Sequence, residues 1–389
     1  MRREMRILMT AIVVTVAAGL GACVAPQTET AGAHIAPPPA MTTTPTPALT
    51  PSPTPANEGA FSIPGAQPSV TTTSNTTLPN AIPNDTRIVI NAPAYRMDVF
   101  DNGALVKSYL IGIGYPEFPL PEGMRTADAI IFNPTWTPPD EPWVESPRSE
   151  VKVGQKVAAG SKLNPLGLVK IPIGLPSLIH GGKSPAQLGG FASHGCVGLT
   201  NAQVIDLSKR LAGLGGVEIT DDQIAKYGRK RTQTKNIALR QPILVELRYE
   251  TIVVEDGRLY IYRDVYERGT NTEEYLRYVL GAHGVTLEDL SENELWQAMA
   301  ALDRMGRNAS GKAVPAAALA QFVDAATDPL PDATLSKRRK EGSANRKVTR
   351  RVKGEKEVVV EITALAGKGY SAPVELDSGK AGPRSTPKS

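Results

Sequence analysis

Two segments, His180-Gly181-Gly182-Lys183 and, after a brief loop, Ser193-His194-Gly195-Cys196, organise the reading of this chain. Cys196 is one of two cysteines, and two of the four histidines lie close to it in sequence. A thiol becomes a nucleophile at neutral pH when a base takes its proton, and imidazole is the usual base. A cysteine with histidines nearby therefore reads as a candidate Cys–His catalytic pair. Gly195 before Cys196, and Val197-Gly198 after it, mark a turn better than they mark a packed core. His180, His194 and Cys196 are also zinc-ligand types, but no neighbouring residue is an obvious fourth ligand. No metal or cofactor is expected.

Short strands surround this pair. Arg87-Ile88-Val89-Ile90-Asn91 reads as one. Tyr95 to Phe100, Asp101-Asn102-Gly103, and Ala104 to Ile113 read as a hairpin on an Asn-Gly turn. Pro119 to Gly123 is expected as a loop, and Pro134 to Pro139 is too proline-rich for a central strand. Asn164-Pro165-Leu166-Gly167 marks a turn before a strand over Leu168 to Ile173. Ile179 runs directly into His180, which places His180 at a strand end. After Cys196 the pattern changes. Thr200-Asn201-Ala202-Gln203 is a capping box, and Val204, Leu207 and Leu211 follow at helical spacing. Gly213, Gly215 and Gly216 end that helix, and Val217-Glu218-Ile219 is expected to close the domain as a strand. The fold class is mainly β.

The N-terminal region points to export. Arg2, Arg3 and Arg6 precede an apolar run from Ile7 to Leu20, too short for a comfortable membrane span and suited to a secretory leader. It ends in Leu20-Gly21-Ala22-Cys23, which resembles a bacterial lipobox; residues 1–23 are read as a lipoprotein signal peptide whose Cys23 carries lipid. Lipid on Cys23 would leave Cys196 without a disulfide partner in an oxidising compartment, where cysteines commonly pair. Residues 24–85 are rich in Pro, Thr and Ala and are expected to be a disordered spacer between anchor and folded domain. His34 falls within that spacer.

From about Arg87 to Thr220 the chain resembles the L,D-transpeptidase catalytic domain, also called the YkuD-type domain. That family's signature is a histidine, a spacer, then Ser/Thr-His-Gly-Cys, which stands here as His180 and Ser193-His194-Gly195-Cys196. Asn133-Pro134-Thr135-Trp136 and Asn164-Pro165-Leu166-Gly167 are similar to further family segments. The resemblance implies a β-sandwich catalytic domain with a few helices over 86–220, followed by a mixed α/β extension. It implies that Cys196 attacks the carbonyl of a diamino acid in a peptidoglycan stem peptide and expels D-alanine. An amine then resolves the thioester, giving a cross-link or an attached cell-wall or outer-membrane protein. It implies His180 as base, oriented by the Gly181 carbonyl, with backbone N–H groups around His194, Gly195 and Cys196 receiving the oxyanion. His194 would shape the pocket, and Ser193 and Gly181 would line the substrate site.

Two positions depart from the family pattern. Gly198 stands where Arg or Asn is usual, and Leu120-Pro121-Glu122-Gly123 differs from the usual Thr-Pro-x-Gly. Asn201 could compensate for Gly198 only if the loop folds back. Two other readings stay open: an L,D-carboxypeptidase or amidase-type hydrolase, in which water resolves the thioester, and a catalytically silent wall-binding lipoprotein. Val24 after Cys23 suggests, by analogy with sorting rules, a periplasm-facing outer-membrane location in a Gram-negative cell.

Beyond the core, residues 221–330 are read as a hairpin and helical extension. Asp221 to Asn236 is expected as a polar linker, and Glu246 to Arg263 as a hairpin turning at Asp256-Gly257. Ser291-Glu292-Asn293-Glu294 is a capping box before Leu295, Leu302 and Met305 on one face. Val314 to Ala326 has helical character, and His283 in Gly281-Ala282-His283-Gly284 reads as a turn residue. Residues 331–389 are expected as a basic, largely disordered tail with a lone strand at Val358-Val359-Val360. The net charge of +4 is modest, and an exported chain is not expected to bind nucleic acid.

Overall fold

The apolar run Ile88-Val89-Ile90 in Arg87–Asn91 (β1) is buried on both faces, and this strand begins the order of the computed structural model. The structure describes residues 78–147, 149–317 and 348–379, all within one unit, Thr71–Ser389. The leader, Cys23, His34 and most of the spacer lie outside the described residues.

Ten strands form one curled sheet, which is how the expected mainly β domain is built. They are β1, β2 (Arg96–Asp101), β3 (Ala104–Leu110), β4 (Gly112–Gly114), β5 (Gly123–Phe132), β6 (Val169–Pro172), β7 (Leu178–His180), β8 (Gly190–Ser193), β9 (Val197–Gly198) and β10 (Lys235–Arg248). The order across the sheet is β3-β2-β1-β10-β5-β6-β7-β9-β4-β8. The β2–β3 hairpin turns at Asn102 and Gly103, with φ of 48° and 82°. Both central residues are left-handed, as a type I′ turn requires. The strand expected over 104–113 is split at Ile111. Its second part, β4, leaves its neighbour and pairs with β8 and β9 near the other end of the sheet. This crossing lets Ile113, Ile179 and Val197 share one core with Ile88, Met97 and Ile130.

Helix α1 (Asn201–Leu214) starts at the expected capping box, with Thr200 Oγ1 accepting from Gln203 N–H. Its face of Val204, Leu207 and Leu211 is fully buried. The closing strand expected at 217–219 is absent; that segment is irregular and leads into a further helix, α2 (Asp221–Arg229). The linker expected over 221–236 is thus helical for most of its length, with Thr220 supplying a second capping box. Sequence periodicity missed α2 because none of its residues is fully buried. Asn133 holds its far end: the Asn133 amide donates to the carbonyls of Tyr227, Lys230 and Gln233.

β10 lies centrally, parallel to β1 and antiparallel to β5. The sheet therefore takes a central strand from beyond the 86–220 boundary drawn on sequence. The expected 246–263 hairpin is shorter, because Glu246 to Arg248 end β10, and only β11 (Ile252–Glu255) and β12 (Arg258–Tyr262) turn at Asp256-Gly257. β12 also pairs with β13 (Glu357–Glu361), so Val358-Val359-Val360 is part of a three-stranded sheet and not a lone strand. α3 (Glu273–Ala282) and α4 (Glu292–Met305) cover this second sheet with Leu276, Val279, Leu280, Leu302 and Met305. His283 is the C-cap of α3, a turn position. Residues 314–317 are not helical, and 318–326 lie outside the described residues. Within the segment read as a disordered tail, 348–379 is ordered. Val348 and Val352 pack on the main core, and Asp377 forms a parallel bridge with Tyr109.

Candidate active site

β7 and β9 run side by side and parallel, with Ile179 opposite Val197 and His180 opposite Gly198. That register brings the last residue of β7 next to the strand that begins one residue after Cys196. Leu199 N–H donates to the His180 carbonyl at 2.8 Å, and Lys183 N–H donates to the Leu199 carbonyl at 3.0 Å. The two sequence segments are thus laced together by backbone, and the side chains of His180 and Cys196 ride on a rigid frame.

His180 is buried. Its Nδ1 lies 2.7 Å from the Gly181 carbonyl. Nδ1 therefore carries the proton and donates, which fixes the tautomer and leaves Nε2 to take a proton. Burial, reinforced by the neighbouring Lys183 ammonium, pushes the imidazole from its ordinary 6.5 down to about 3, against backbone hydrogen bonds with Gly181 and Leu166 that favour the charged form. At neutral pH the ring is uncharged, the form a base needs.

Cys196 is partly exposed and is not in a disulfide. It sits in a tight turn closed by Ser193, whose Oγ accepts from Cys196 N–H at 2.9 Å and donates to Cys196 O at 2.5 Å. This corrects one expectation. The Cys196 N–H is occupied by Ser193, so Ser193 shapes the turn and the Cys196 amide is not open to an oxyanion. Gly195 has φ of 98°, a left-handed conformation that a side chain would strain. Its carbonyl accepts from Ser177 Oγ at 2.8 Å, which fixes the Gly195–Cys196 peptide plane. A Cβ on Gly114 would fall 2.0 Å from the Phe118 carbonyl and 3.2 Å from Gly195 N. Glycine at 114 lets β4 and the turn after it close against the Gly195-Cys196 turn.

His194 is held in an aromatic box. Trp143 stacks on it at 4.1 Å between ring centroids and 13° between planes, while Tyr115 and Phe118 meet it edge-on at 5.1 and 4.8 Å. These three aromatics were not singled out from sequence. They come from the turn after β4 and from the long excursion between β5 and β6, and no local spacing links either segment to Ser193-His194-Gly195-Cys196. Asn201 does not stand in for a side chain at 198. As the first residue of α1, its Oδ1 accepts from Leu168 N–H and Gly182 N–H, both at 3.0 Å, which ties the 164–168 turn to the segment after His180. Among the described residues no group of three or more His, Cys, Asp or Glu side chains is placed to share a metal ion.

A family model for the L,D-transpeptidase catalytic domain, YkuD, matches residues 85–235. The match covers less than half of the chain and takes in the His180 and Cys196 segments, so this part of the chain is similar to a YkuD-type L,D-transpeptidase catalytic domain. No curated protein matches the chain. Solved structures similar to it include the L,D-transpeptidase of Mycobacterium smegmatis, at 17% identity and TM-score 0.24, covering 42% of this chain and 58% of that one. The C442S mutant of the Enterococcus faecium enzyme is 16% identical with TM-score 0.26, over 41% and 49%. The isolated catalytic domain of the E. faecium enzyme is 16% identical with TM-score 0.27, over 43% of this chain and 100% of that one. The chain thus spans about half the length of the larger solved relatives. The family match contains every candidate residue named above, and it stops at the first residue of β10.

Proposed function

We propose that this chain is an exported, lipid-anchored cysteine L,D-transpeptidase acting on peptidoglycan stem peptides. The observation that supports it best is the β7–β9 pairing, which sets a neutral, tautomer-fixed His180 beside the Cys196 turn inside a YkuD-type domain. In this reading His180 Nε2 accepts the Cys196 thiol proton as Sγ attacks the carbonyl of the diamino acid at position three. The carbonyl oxygen takes the negative charge and is received by backbone N–H of the Gly195 turn. The C–N bond to the terminal D-alanine then breaks, and the proton on His180 passes to the leaving amine. A thioester remains on Cys196. An acceptor amine attacks it, returns the thiol, and forms the cross-link or protein attachment. His194, boxed by Trp143, Tyr115 and Phe118, gives the cleft an aromatic wall. Lipid on Cys23 and the 24–85 spacer would hold the domain at a membrane facing the periplasm, within reach of the wall.

The test is incubation of the soluble domain with a disaccharide-tetrapeptide and mass analysis of protein and products. A Cys196 acyl-enzyme and a cross-linked product are expected, and Cys196→Ala should yield neither. Release of D-alanine with only tripeptide product would make the chain a hydrolase. An adduct that survives in Cys196→Ala would overturn the nucleophile assignment.

A further inference from the structure

Gly198 leaves a hole in the family pattern, two residues after the nucleophile, and the structure shows what fills it. A Cβ built on Gly198 would lie 2.8 Å from Cγ and 2.9 Å from Cε of Lys183. The Lys183 stem is therefore laid along Gly198, in the space a side chain there would enter. The backbone of Gly198 is not left-handed, so nothing but Lys183 demands glycine at this position. Lys183 is fixed at its own backbone, since its N–H donates to Leu199 O on the far side of Gly198. The stem thus crosses β9 directly beside the Cys196 turn.

The ammonium at the end of that stem is unusual. Lys183 is half-buried, and among the described residues no carboxylate forms an ion pair with it. Burial lowers its pKa, and the charge that opposes this is Cys196 in its thiolate form. The ammonium in turn repels a proton from His180. It therefore stands within electrostatic reach of both groups of the catalytic pair. A partly desolvated cation with no carboxylate partner among the described residues is costly to keep, and it is suited to an anion that arrives with substrate.

We propose that Lys183 takes over the position that Gly198 vacates, and that it binds a carboxylate of the donor stem peptide next to Cys196. The ligand's identity rests on the transpeptidase reading above. Two carboxylates of that peptide have the required chemistry: the C-terminal one of the D-alanine to be expelled, and the side-chain one of a diamino diacid at position three. Lys183 is a substrate-binding residue in this account, reached from the His180 side of the cleft.

The experiment uses the soluble protein and three synthetic tetrapeptides: one with both carboxylates free, one amidated at the C-terminus, and one amidated at position three. Binding is measured by calorimetry on the Cys196→Ala protein, where no turnover is needed, and acylation is measured on the Cys196 protein. Lys183→Met keeps the stem over Gly198 and removes the charge. It is expected to weaken binding of the free peptide about tenfold or more, the usual scale for a charged hydrogen bond, while Lys183→Arg stays close to the parent. Amidation of the carboxylate that Lys183 contacts should abolish the difference between the parent and the Lys183→Met variant, and the peptide that does so identifies it. The swap Lys183→Ala with Gly198→Arg should recover binding that Lys183→Ala alone loses, because the stem no longer blocks position 198. Equal binding of all peptides by Lys183→Met and its parent overturns the proposal, as does a difference that survives both amidations. Absence of binding even with Lys183 intact also overturns it. Failure of acylation by the Cys196 protein, with charge-dependent binding preserved, would instead count against the transpeptidase reading and leave the Lys183 contact standing.

Discussion

Asn201→Ala removes one oxygen that serves two segments. Asn201 Oδ1 accepts from Leu168 N–H and from Gly182 N–H, each at 3.0 Å. The oxygen is tightly seated: a Cβ on Gly167 would lie 2.5 Å from it, and one on Gly181 would lie 2.6 Å away. Each hydrogen bond of this kind contributes about 0.5–1.5 kcal/mol net, so losing both should cost about 1–3 kcal/mol. For a folded unit of this size that corresponds to a fall in Tm of roughly 2–12 °C. The effect should extend to chemistry, because Gly182 is two residues from His180 and the Gly181 carbonyl orients the imidazole. Asn201→Asp keeps the acceptor and places a negative charge at the first turn of α1, where the helix dipole favours it. The expected order in both Tm and acylation rate is wild type, close to Asn201→Asp, above Asn201→Ala. Calorimetric melting and a burst of acylation followed by mass give the two readouts. An Ala variant that melts and acylates like wild type would refute the assignment of Asn201 as the tie between these loops.

Gly114→Ala should lose about 1–3 kcal/mol in urea denaturation, the usual scale for overpacking, and acylation should slow, because its Cβ would meet the Phe118 carbonyl at 2.0 Å and must push the turn off Gly195. His180, with a folded pKa near 3 against an ordinary 6.5, stays neutral in the native state while the unfolded chain takes up a proton as pH falls through 6.5. Stability from this group is therefore complete above about 6.5 and declines towards 3; the drop in urea midpoint between pH 7 and pH 4.5 should be smaller in His180→Gln, and an equal drop would contradict the depressed pKa. Cys23→Ala should move the protein from the membrane fraction to the soluble exported fraction, and an unmodified mature N-terminus elsewhere, seen by mass, would remove the lipid anchor from the proposal.

The parts of this protein that sequence made legible are those specified locally. The Asn102-Gly103 turn, the capping boxes at Thr200 and Ser291 and the burial of Val204, Leu207 and Leu211 follow from spacing of a few residues, and each is present. The placement of His180 at a strand end is local as well, and its contact with Gly181 is one that the family resemblance implied. What stayed hidden depends on long-range pairing. The break at Ile111 exists because β4 finds partners in β8 and β9, far along the chain. α2 escaped notice because only Ile224 and Tyr227 pack on the core, both partly buried, and its far end is held by Asn133 from a distant segment. The Lys183–Gly198 contact was invisible for the same reason: the two residues meet only after β7 and β9 align. The Ser193–Cys196 turn shows the limit of motif reading, since the motif names a serine but not that its hydroxyl occupies the Cys196 amide.

The family match ends at 235, yet the sheet that carries the site cannot end there. β1 pairs with β10 from Arg87–Leu244 to Asn91–Arg248, and β5 pairs with its other edge. Without β10 both would present unpaired, largely apolar edges, a template for aggregation. The strand is then anchored by charges that belong to both parts of the chain. Arg248 binds Glu246 and the Ala81 carbonyl, and Arg96 of β2 spans Asp98 of its own strand and Glu255 of β11. These groups are largely buried, and taking one partner from a buried pair strands the other at a cost of about 3–5 kcal/mol. The C-terminal segment closes the same sheet from its edge, where Asp377 bridges to Tyr109 and its carbonyl accepts from Gln203 at the start of α1. It also reaches the cleft. Thr349 donates to Glu117 through both its N–H and its hydroxyl, and Arg350 lies over the ring of Tyr115, which meets His194 edge-on. The stretch that composition marked as a solvated tail therefore backs one aromatic wall of the site. There Arg350 packs on Tyr115 and Thr349 hydrogen-bonds Glu117, so the extension and the main sheet hold the surroundings of the His194-Gly195-Cys196 turn jointly.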